Sequence, residues 1–329
     1  MVSRPSPDRS AVLIGLLCAA ASLTVRTSTA AAESGVAITH DGGKLRIEIG
    51  GKFFSEYHYT DVSRPFLYPI LDPAGLAMTR DWPMKDSPGE EHDNPHHRSL
   101  WWAHGDINGV DFRSESPKAG KTVHEKFTEL KSGADYGRIA TRNRLVAPDG
   151  RVVATEDLAI TIPNRAEDRI IDISATVTAD KEELTFGDTK EGTMAIRLAE
   201  SMRLIRGKKA GDGHIVNSEG VRDGETWGKR AKWCDYYGPV GGQVVGVAIF
   251  DHPSNPRHPT WWHVRDYGLF AANPFGLHDF EKQPAGAGKL VVPKGQAVTF
   301  RYRFYFHKGD EKQGRVAGQY EAFAPSPAR

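Results

Sequence analysis

The sequence predicts an all-β protein, built as a large antiparallel β-sandwich with long loops and one short C-terminal helix. Three observations predict this fold class. Several segments alternate apolar and polar residues with period two, which is typical of strands with one buried face. The 34 glycines and 20 prolines are scattered along the chain, as suits many strands joined by turns. Helical periodicity is scarce, and no linker divides the region after the first thirty residues.

Five segments carry the strand pattern. The clearest is the last, in which five apolar or aromatic side chains share one face and two arginines and a threonine lie on the other. The fourth is almost entirely apolar, which predicts a central strand covered on both faces. The five segments are Lys44–Ile49, Val152–Ile162, Ile171–Val177, Val244–Phe250 and Val298–Phe306.

One segment near the C-terminus carries the helical pattern. In Gln313–Phe323, the residues Val316, Tyr320 and Phe323 fall at helical spacing. The segment is short, so we expect a helix that caps one face of a sheet.

The N-terminal segment has the features of a secretory signal peptide, which we place at residues 1–32. Arg4 and Arg9 precede an apolar run over Ala11–Val25, and the small residues Ala30–Ala32 offer a cleavage site. The prediction is export to the periplasm or the cell exterior, with residues 33–329 forming a single domain. No second apolar run is long enough to span a bilayer. Export would leave Cys234 as the one cysteine, so no internal disulfide is expected.

The charge balance indicates which classes of binding partner are not expected. The 43 Lys and Arg residues nearly equal the 42 Asp and Glu residues, which argues against nucleic acid as a partner. No phosphate loop, nucleophile elbow or dinucleotide-binding glycine motif is present, so nucleotide cofactors are not expected. The sequence requires no cofactor, although its histidine density leaves a divalent metal open.

The first polar constellation is the segment His92–Asp106. If Trp101–Asp106 forms a strand, Trp102, His104 and Asp106 point the same way. Such a group could bind a metal ion or act as an acid/base pair. Alternatively, its histidines could cap loop backbone groups and pack on tryptophan. The preceding loop adds two further candidates, His96 and His97.

The second constellation is the segment Asp251–Gly268. On a strand, Trp261, His263, Arg265 and Tyr267 would share a face on which aromatic and polar groups alternate. This composition suits a sugar ring, because an indole stacks on the ring while Arg, Asn and His bond its hydroxyls. The alternative is a solvated face on which Arg265 pairs with Asp266 or Asp251. Further candidate substrate-binding residues in and after this segment are Asn255, Arg257 and Asn273.

The third constellation is the charged run Phe186–Arg197. Asp188 and Glu191 are candidate bases, and Arg197 is a candidate clamp for an anion. The alternative is a solvated turn.

Several motifs occur in the order in which one family carries them. The chain resembles the PmoA-like family of bacterial exported proteins, also called "methane oxygenase PmoA" or a domain of unknown function. The resemblance covers nearly the whole region after residue 32. The motifs are Arg64–Pro69, His96–Arg98, His104–Phe112, Gly187–Gly192, Asn217–Gly220, Asp251–Arg257, Trp262–Gly268 and Asn273–Gly276.

Neither resemblance supplies a function directly. The methane-oxidising subunit that the family name echoes is an integral membrane protein, and no spanning helix is predicted here, so that activity is not carried over. The ending Tyr302–Asp310 also resembles the last strand of galactose-mutarotase-like sandwiches, which include supersandwiches. In that fold sugars bind a concave sheet face and a His–carboxylate pair moves protons. Fold alone does not fix function.

Three functions therefore stay open, and the balance favours an enzyme. The first is a carbohydrate-active enzyme of the epimerase, lyase or hydrolase type, acting on a small-molecule or oligosaccharide substrate. The second is a non-catalytic sugar-binding module. The third is a metal-dependent oxidoreductase. In the first, the general acid would be His104 or His263, and the base would be Asp188, Glu191 or Asp106. The groove would be lined by Tyr68, Trp102 and Trp262. Substrate oxygens would be bound by Arg64, Arg197 and Arg265.

Overall fold

The computed structural model describes residues 1–3 and 34–325. Nearly all of the predicted signal peptide therefore lies outside the described residues. The described chain forms two eight-stranded antiparallel sheets, which confirms the predicted all-β sandwich. In chain order the strands are β1 (Val36–Asp41), β2 (Lys44–Ile49), β3 (Lys52–His58), β4 (Phe66–Ile70), β5 (Leu100–His104), β6 (Lys121–Lys131), β7 (Tyr136–Val146), β8 (Val152–Pro163), β9 (Arg169–Thr178), β10 (Leu184–Phe186), β11 (Gly192–Arg197), β12 (Ile205–Arg206), β13 (Lys209–Ala210), β14 (His214–Asn217), β15 (Trp233–Val240), β16 (Gln243–Asp251), β17 (Trp261–Val264), β18 (Leu269–Asn273), β19 (Leu290–Val292) and β20 (Ala297–Lys308). In order along the sheet, the first sheet consists of β1, β2, β3, β4, β5, β11, β18 and β17, and the second of β14, β15, β16, β20, β9, β8, β7 and β6.

All five segments with the strand pattern lie within strands, namely β2, β8, β9, β16 and β20. Strand β16 lies between β15 and β20. Its residues Val245, Val247 and Ile249 belong to the core between the sheets, while Ala248 and Phe250 pack on the opposite side. The prediction of a central strand covered on both faces is confirmed.

Two α-helices of the described chain are α1 (Leu277–Glu281) and α2 (Val316–Phe323). Helix α2 lies within the predicted helical segment and packs its three apolar residues against Phe250 and Tyr305, on the outer face of the second sheet. The predicted capping role is confirmed. Within residues 1–3 and 34–325, no helix is both long enough and apolar enough to cross a membrane.

The outer face of the first sheet has a different covering. Trp101, Ala195, Ala271 and His263 form a row across β5, β11, β18 and β17, because each is the register partner of the next. The adjacent residues of the same strands, such as Trp102 and Trp262, point into the core between the sheets. The two alanine methyl groups leave space above the middle of the row. The loops that connect β4 to β5 and β5 to β6 lie over this face, and helix α1 packs against its β17 end through Phe280 and Glu281.

Candidate functional site

A polar pocket of about 400 Å³ lies on this outer face of the first sheet. Three segments far apart in the chain form it: the loops on either side of β5, the turn that leads into β11, and the segment from β17 to β18. The pocket residues are Asn94, His96, His97, Gly105, Asp111, Arg113, Ser114, Thr189, Lys190, Glu191, His263, Arg265 and Tyr267. The two histidine-rich segments therefore meet in one concavity.

Arg113 connects most of these groups. Its side chain is only 8% exposed, and its Nη1 forms an ion pair with the Glu191 carboxylate. Nη1 also lies 3.2 Å from Nε2 of His96, and Nη2 lies 3.0 Å from Nε2 of His97. Since a guanidinium donates in a fixed plane, this one residue orients two imidazoles and a carboxylate.

His97 lies between two guanidinium groups. Its Nε2 faces Arg113, and its Nδ1 lies 3.2 Å from Nη1 of Arg197. A neutral imidazole has one acceptor nitrogen, so it can accept from only one of these donors at a time. Burial lowers the pKa of His97 well below its ordinary value, and Arg113 and His96 lower it further. His97 is therefore held neutral and acts as a support for the pocket.

His96 is neutral for similar reasons. Burial, followed by the charges of Arg113 and Arg64, lowers its pKa to about 4. Its Nε2 accepts from Arg113, so in the neutral ring Nδ1 carries the hydrogen. His96 can therefore donate one hydrogen bond without carrying a charge.

His263 is a second neutral donor, and its tautomer is set by a neighbour. The Nε1–H of Trp227 donates to Nδ1 of His263 over 3.0 Å, which leaves the ring hydrogen on Nε2. Burial lowers the pKa of His263 well below its ordinary value, and the charges of Arg113 and Arg265 add to the effect. Its Nε2–H is therefore a fixed donor rather than a titrating acid near neutral pH.

Tyr267 and Arg265 complete the pocket. The Arg197 guanidinium lies 4.7 Å from the centre of the Tyr267 ring, and that of Arg265 lies 5.4 Å from it. Burial raises the pKa of Tyr267, although both arginines and Arg113 oppose the rise. No carboxylate of the described residues lies within ion-pair distance of Arg265. The alternative in which it pairs with Asp266 or Asp251 is therefore not observed.

A layer of buried arginines lies beneath the pocket. Arg80 and Arg197 share the carboxylate of Asp93, and Arg197 Nη2 lies 2.9 Å from it. Arg64 and Arg98 share the carboxylate of Glu115 in the same way, at 3.7 Å and 2.6 Å. Burial lowers the pKa of both Arg64 and Arg197 to about 10. Each carboxylate therefore serves two cations.

The structure brings five of the predicted site residues into the pocket lining and places two more, Arg64 and Arg197, directly against it. The Arg64 guanidinium donates to the backbone carbonyl of His96, and Arg197 contacts His97 from below. Tyr68 is half-buried outside the lining and donates to Asp81 over 2.8 Å. The five lining residues are His96, His97, Glu191, His263 and Arg265.

Trp102 and His104 point the same way, as predicted, but the face they share is the interior. Trp102 packs 4.9 Å from Phe300, and the His104 ring packs 4.4 Å from Phe275. Nε2 of His104 lies 2.9 Å from the Gly187 carbonyl, and burial lowers the pKa of His104 to about 4. The interior position removes both residues from the pocket lining. Trp262 is also in the core, so the expected groove of Tyr68, Trp102 and Trp262 is not formed.

Five other predicted residues fix loops instead of lining the pocket. Asp188 accepts the backbone N–H groups of His278 and Gly288, and Asp106 accepts that of Gly109. These carboxylates are occupied because each closes a turn. The other three are Asn255, Arg257 and Asn273. Asn255 donates to Asp251 and to the Arg301 carbonyl, and Arg257 donates to the carbonyls of Pro274, Gly288 and Lys289. Asn273 donates to the Thr189 carbonyl and accepts from the backbone N–H of Phe275.

Sequence reasoning missed several lining residues, and Arg113 is the most important. It directly follows the motif His104–Phe112, but it lies in an irregular loop, where no periodicity indicates side-chain direction. Proximity to that motif was the one available signal. The other unassigned lining residues are Asn94, Gly105, Asp111, Ser114, Thr189 and Lys190, of which Lys190 lies between two candidate bases.

The histidines and carboxylates of the pocket do not converge as metal ligands. No cluster of three or more His, Cys, Asp or Glu side chains suited to a metal ion occurs in the described part of the chain. Nε2 of His96 and Nε2 of His97 both face Arg113. A cation at that position would repel a metal ion bound there.

A second cavity of about 720 Å³ adjoins the first and shares Ser114 with it. Its lining includes Tyr59 and His124, whose rings lie 4.7 Å apart, and Glu115, which belongs to the buried arginine layer. The two cavities therefore meet at the segment after Arg113.

Solved structures resemble this chain only distantly. The heparan sulfate lyase HepC from Pedobacter heparinus matches at 10% identity and a TM-score of 0.38, over 84% of this chain and 36% of that one. An alpha-galactosidase from Lactobacillus brevis matches at 9% identity and a TM-score of 0.40, over 84% of this chain and 40% of that one. A galactose mutarotase related enzyme from Lactobacillus acidophilus matches at 10% identity and a TM-score of 0.29, over 83% and 97%. The chain spans about two-fifths of the length of the first two, and no assignment of activity follows from likenesses this weak.

Sequence comparison identifies the family. No curated protein matches the chain. One family profile matches residues 44–321, which include every strand except β1 and every residue of the pocket. The chain belongs to that family, which is described as a family of unknown function, DUF6807.

Proposed function

We propose that this protein is an exported carbohydrate-active enzyme that binds a saccharide in the pocket of the first sheet and acts on it by acid/base chemistry. One observation carries the proposal. Neutral hydrogen-bond donors, a carboxylate and arginines from three distant segments converge in one cavity. A solvated surface would not need Trp227 and Arg113 to fix the orientations of His263, His96 and Glu191.

The polar groups match what a saccharide presents. Each sugar hydroxyl both donates and accepts, so a sugar site needs both kinds of partner. His263 Nε2–H and His96 Nδ1–H supply neutral donors, while Glu191 and Asp111 supply acceptors. Tyr267 supplies an aromatic ring at the pocket wall.

Glu191 is the base of the proposed reaction. Its carboxylate is 40% exposed and is held by Arg113. Tyr267 is the partner acid, because burial keeps the proton on its phenol and the nearby Arg197 and Arg265 stabilise the phenolate left after transfer. In this scheme His263 binds a substrate oxygen without changing its charge. Epimerisation, lyase chemistry and hydrolysis all use such a pair.

Turnover is the test of the proposal. The protein without its first 32 residues is incubated with neutral and acidic oligosaccharides, and products are followed by mass spectrometry. Glu191→Gln should lower turnover on the active saccharide by about 100-fold or more while saccharide binding persists. Glu182→Gln is the matched control, because Glu182 is an exposed glutamate that also pairs with an arginine, Arg151.

Three results would contradict the proposal. Binding without any turnover would indicate a sugar-binding module. Oxidised products that require an added metal ion would indicate the oxidoreductase that the "methane oxygenase" name suggests. Equal loss of turnover in Glu191→Gln and Glu182→Gln would remove Glu191 as the base.

A further inference from the structure

The pocket has positive charge that the protein's own carboxylates do not neutralise. Arg265 lines the pocket and has no carboxylate partner among residues 34–325. The other two lining cations are paired, Arg113 with Glu191 and Lys190 with Asp279, the latter over 3.4 Å. The formal charge of the whole chain is only +1, so the unpaired cation is a local feature.

The layer beneath adds to this potential. Asp93 is shared by Arg80 and Arg197, and Glu115 by Arg64 and Arg98. Four guanidinium groups are thus paired with only two carboxylates, which leaves a surplus of positive charge. Arg64, Arg80 and Arg197 are fully buried. Charges beneath a low-dielectric surface are poorly screened, so their field extends into the pocket.

The remaining lining groups offset this field only in part. His96, His97 and His263 are neutral. The ionised Asp111 carboxylate, whose Oδ1 accepts the backbone N–H groups of Arg113 and Ser114, offsets one positive charge, and the surplus of the buried arginine layer remains. Uncompensated buried cations cost stability, which a bound anion would recover.

We propose that the pocket recognises an acidic saccharide, with Arg265 as the anchor for its carboxylate or sulfate group. The planar guanidinium suits bidentate binding of either group. His263 Nε2–H lies in the same lining and donates to an adjacent oxygen of the sugar. This inference rests on the proposed function, since it names the substrate class of the same site.

The test is a binding comparison in matched pairs. Galacturonate, glucuronate and mannuronate oligosaccharides are titrated calorimetrically against their own methyl esters, at low and high ionic strength. A sulfated oligosaccharide without uronate is titrated alongside them. We expect at least one acidic probe to bind about 10-fold or more tightly than its neutral counterpart, and salt to weaken that preference. A preference for the uronate or for the sulfated probe identifies which acid the site takes.

Variants locate the preference. Arg265→Gln should abolish the discrimination between acid and ester, and Arg265→Lys should keep part of it. Arg206→Gln is the control, because Arg206 is an exposed arginine outside both cavities. Circular dichroism checks that each variant is folded.

The outcomes separate this inference from the proposed function. Esters that bind and turn over as well as the acids would overturn the inference and leave the enzyme proposal standing. Acids that bind through Arg265 without turnover would support the inference and overturn the enzyme proposal. If no acidic probe binds more tightly than its counterpart, or if Arg206→Gln removes the preference as fully as Arg265→Gln, the inference is wrong.

Discussion

The outer faces of the two sheets are covered in opposite ways. On the second sheet, helix α2 places Val316, Tyr320 and Phe323 over an apolar cluster. On the first sheet, loops cover a row that includes two alanines and His263, helix α1 packs only at the β17 end through Phe280, and a polar pocket remains open. An apolar cover stabilises the sheet by burial. A loop cover leaves room for side chains whose partners are supplied by a ligand.

The histidines of the two faces differ in the same way. On the second sheet, His307 Nε2 lies 3.0 Å from the buried Asp235 carboxylate. On the first, His96 and His97 face Arg113 and Arg197. A carboxylate partner favours the charged imidazole and an arginine partner the neutral one. The pocket thus contains neutral donors beside excess positive charge, a combination that a purely structural cluster does not need.

Truncation of the helical cover should give the largest effect on stability. Phe323 is 5% exposed and contacts Phe250 and Tyr320. Phe323→Ala should lower the free energy of unfolding by about 3–5 kcal/mol, measured by denaturant unfolding. Turnover below the melting temperature should stay unchanged. A large loss of turnover in the folded variant would mean that the two faces are not functionally separate.

Glu156 tests the interior that separates the two faces. It is 2% exposed, and its Oε1 accepts from Asn143 over 2.9 Å. Burial raises its pKa from 4.5 to about 7. The protonated form is therefore favoured in the folded state, and the associated stability is present below pH 4.5 and lost as the pH rises toward 7.

Glu156→Gln, which stays neutral, should stabilise the protein by on the order of 3 kcal/mol above pH 7. The gain should disappear below pH 4.5, where the wild-type carboxyl is protonated in both states. Thermal unfolding across this pH range measures it. A gain that is independent of pH would refute the assignment to the Glu156 charge.

Arg113 tests the polar face. Arg113→Gln should lower turnover by roughly 100-fold, equivalent to about 3 kcal/mol of transition-state stabilisation, because Glu191 and both imidazoles lose their common support. The loss should fall mainly on kcat, and Arg113→Lys should recover part of it. Arg138→Gln, which breaks the exposed pair with Glu129, is the control. An unchanged kcat in Arg113→Gln would show that the pocket geometry does not depend on this residue.

The smallest expected effect is a difference in titration between the two faces. Nitrogen-15 NMR of labelled imidazoles should show His96 and His263 neutral from about pH 5 to pH 8. His307 should titrate above 6.5, because Asp235 outweighs the effect of burial and raises its pKa. Protonation of His96 near pH 6.5 would contradict the charge environment derived for the pocket.

The strands were predictable because period-two alternation follows directly from one-sided burial. The segments in β2 and β20 show this best, and the apolar run in β16 shows the two-sided case. The short helix was predictable from three residues at helical spacing. Local pattern was sufficient for these elements.

The site was only partly predictable, since alternation tells which side chains share a face but not which face is buried. Trp102 and His104 share a face, and so do Trp261 and His263. Both pairs combine an aromatic residue with histidine, yet the first pair points inward and His263 lines the pocket. Which of the two faces of a strand is buried depends on sheet pairing between distant strands. Arg113 could not be placed at all, because an irregular loop carries no periodic signal.

Whether saccharide binds in the polar pocket on the outer face of the first sheet is tested most directly with the same imidazole resonances. Saturating galacturonate trisaccharide is added to the labelled protein, with its methyl ester in a parallel sample. The resonances of His96 and His263 should shift on addition of the acidic saccharide, and that of His307 should not. Shifts at His307 with none at His96 and His263 would contradict binding in this pocket.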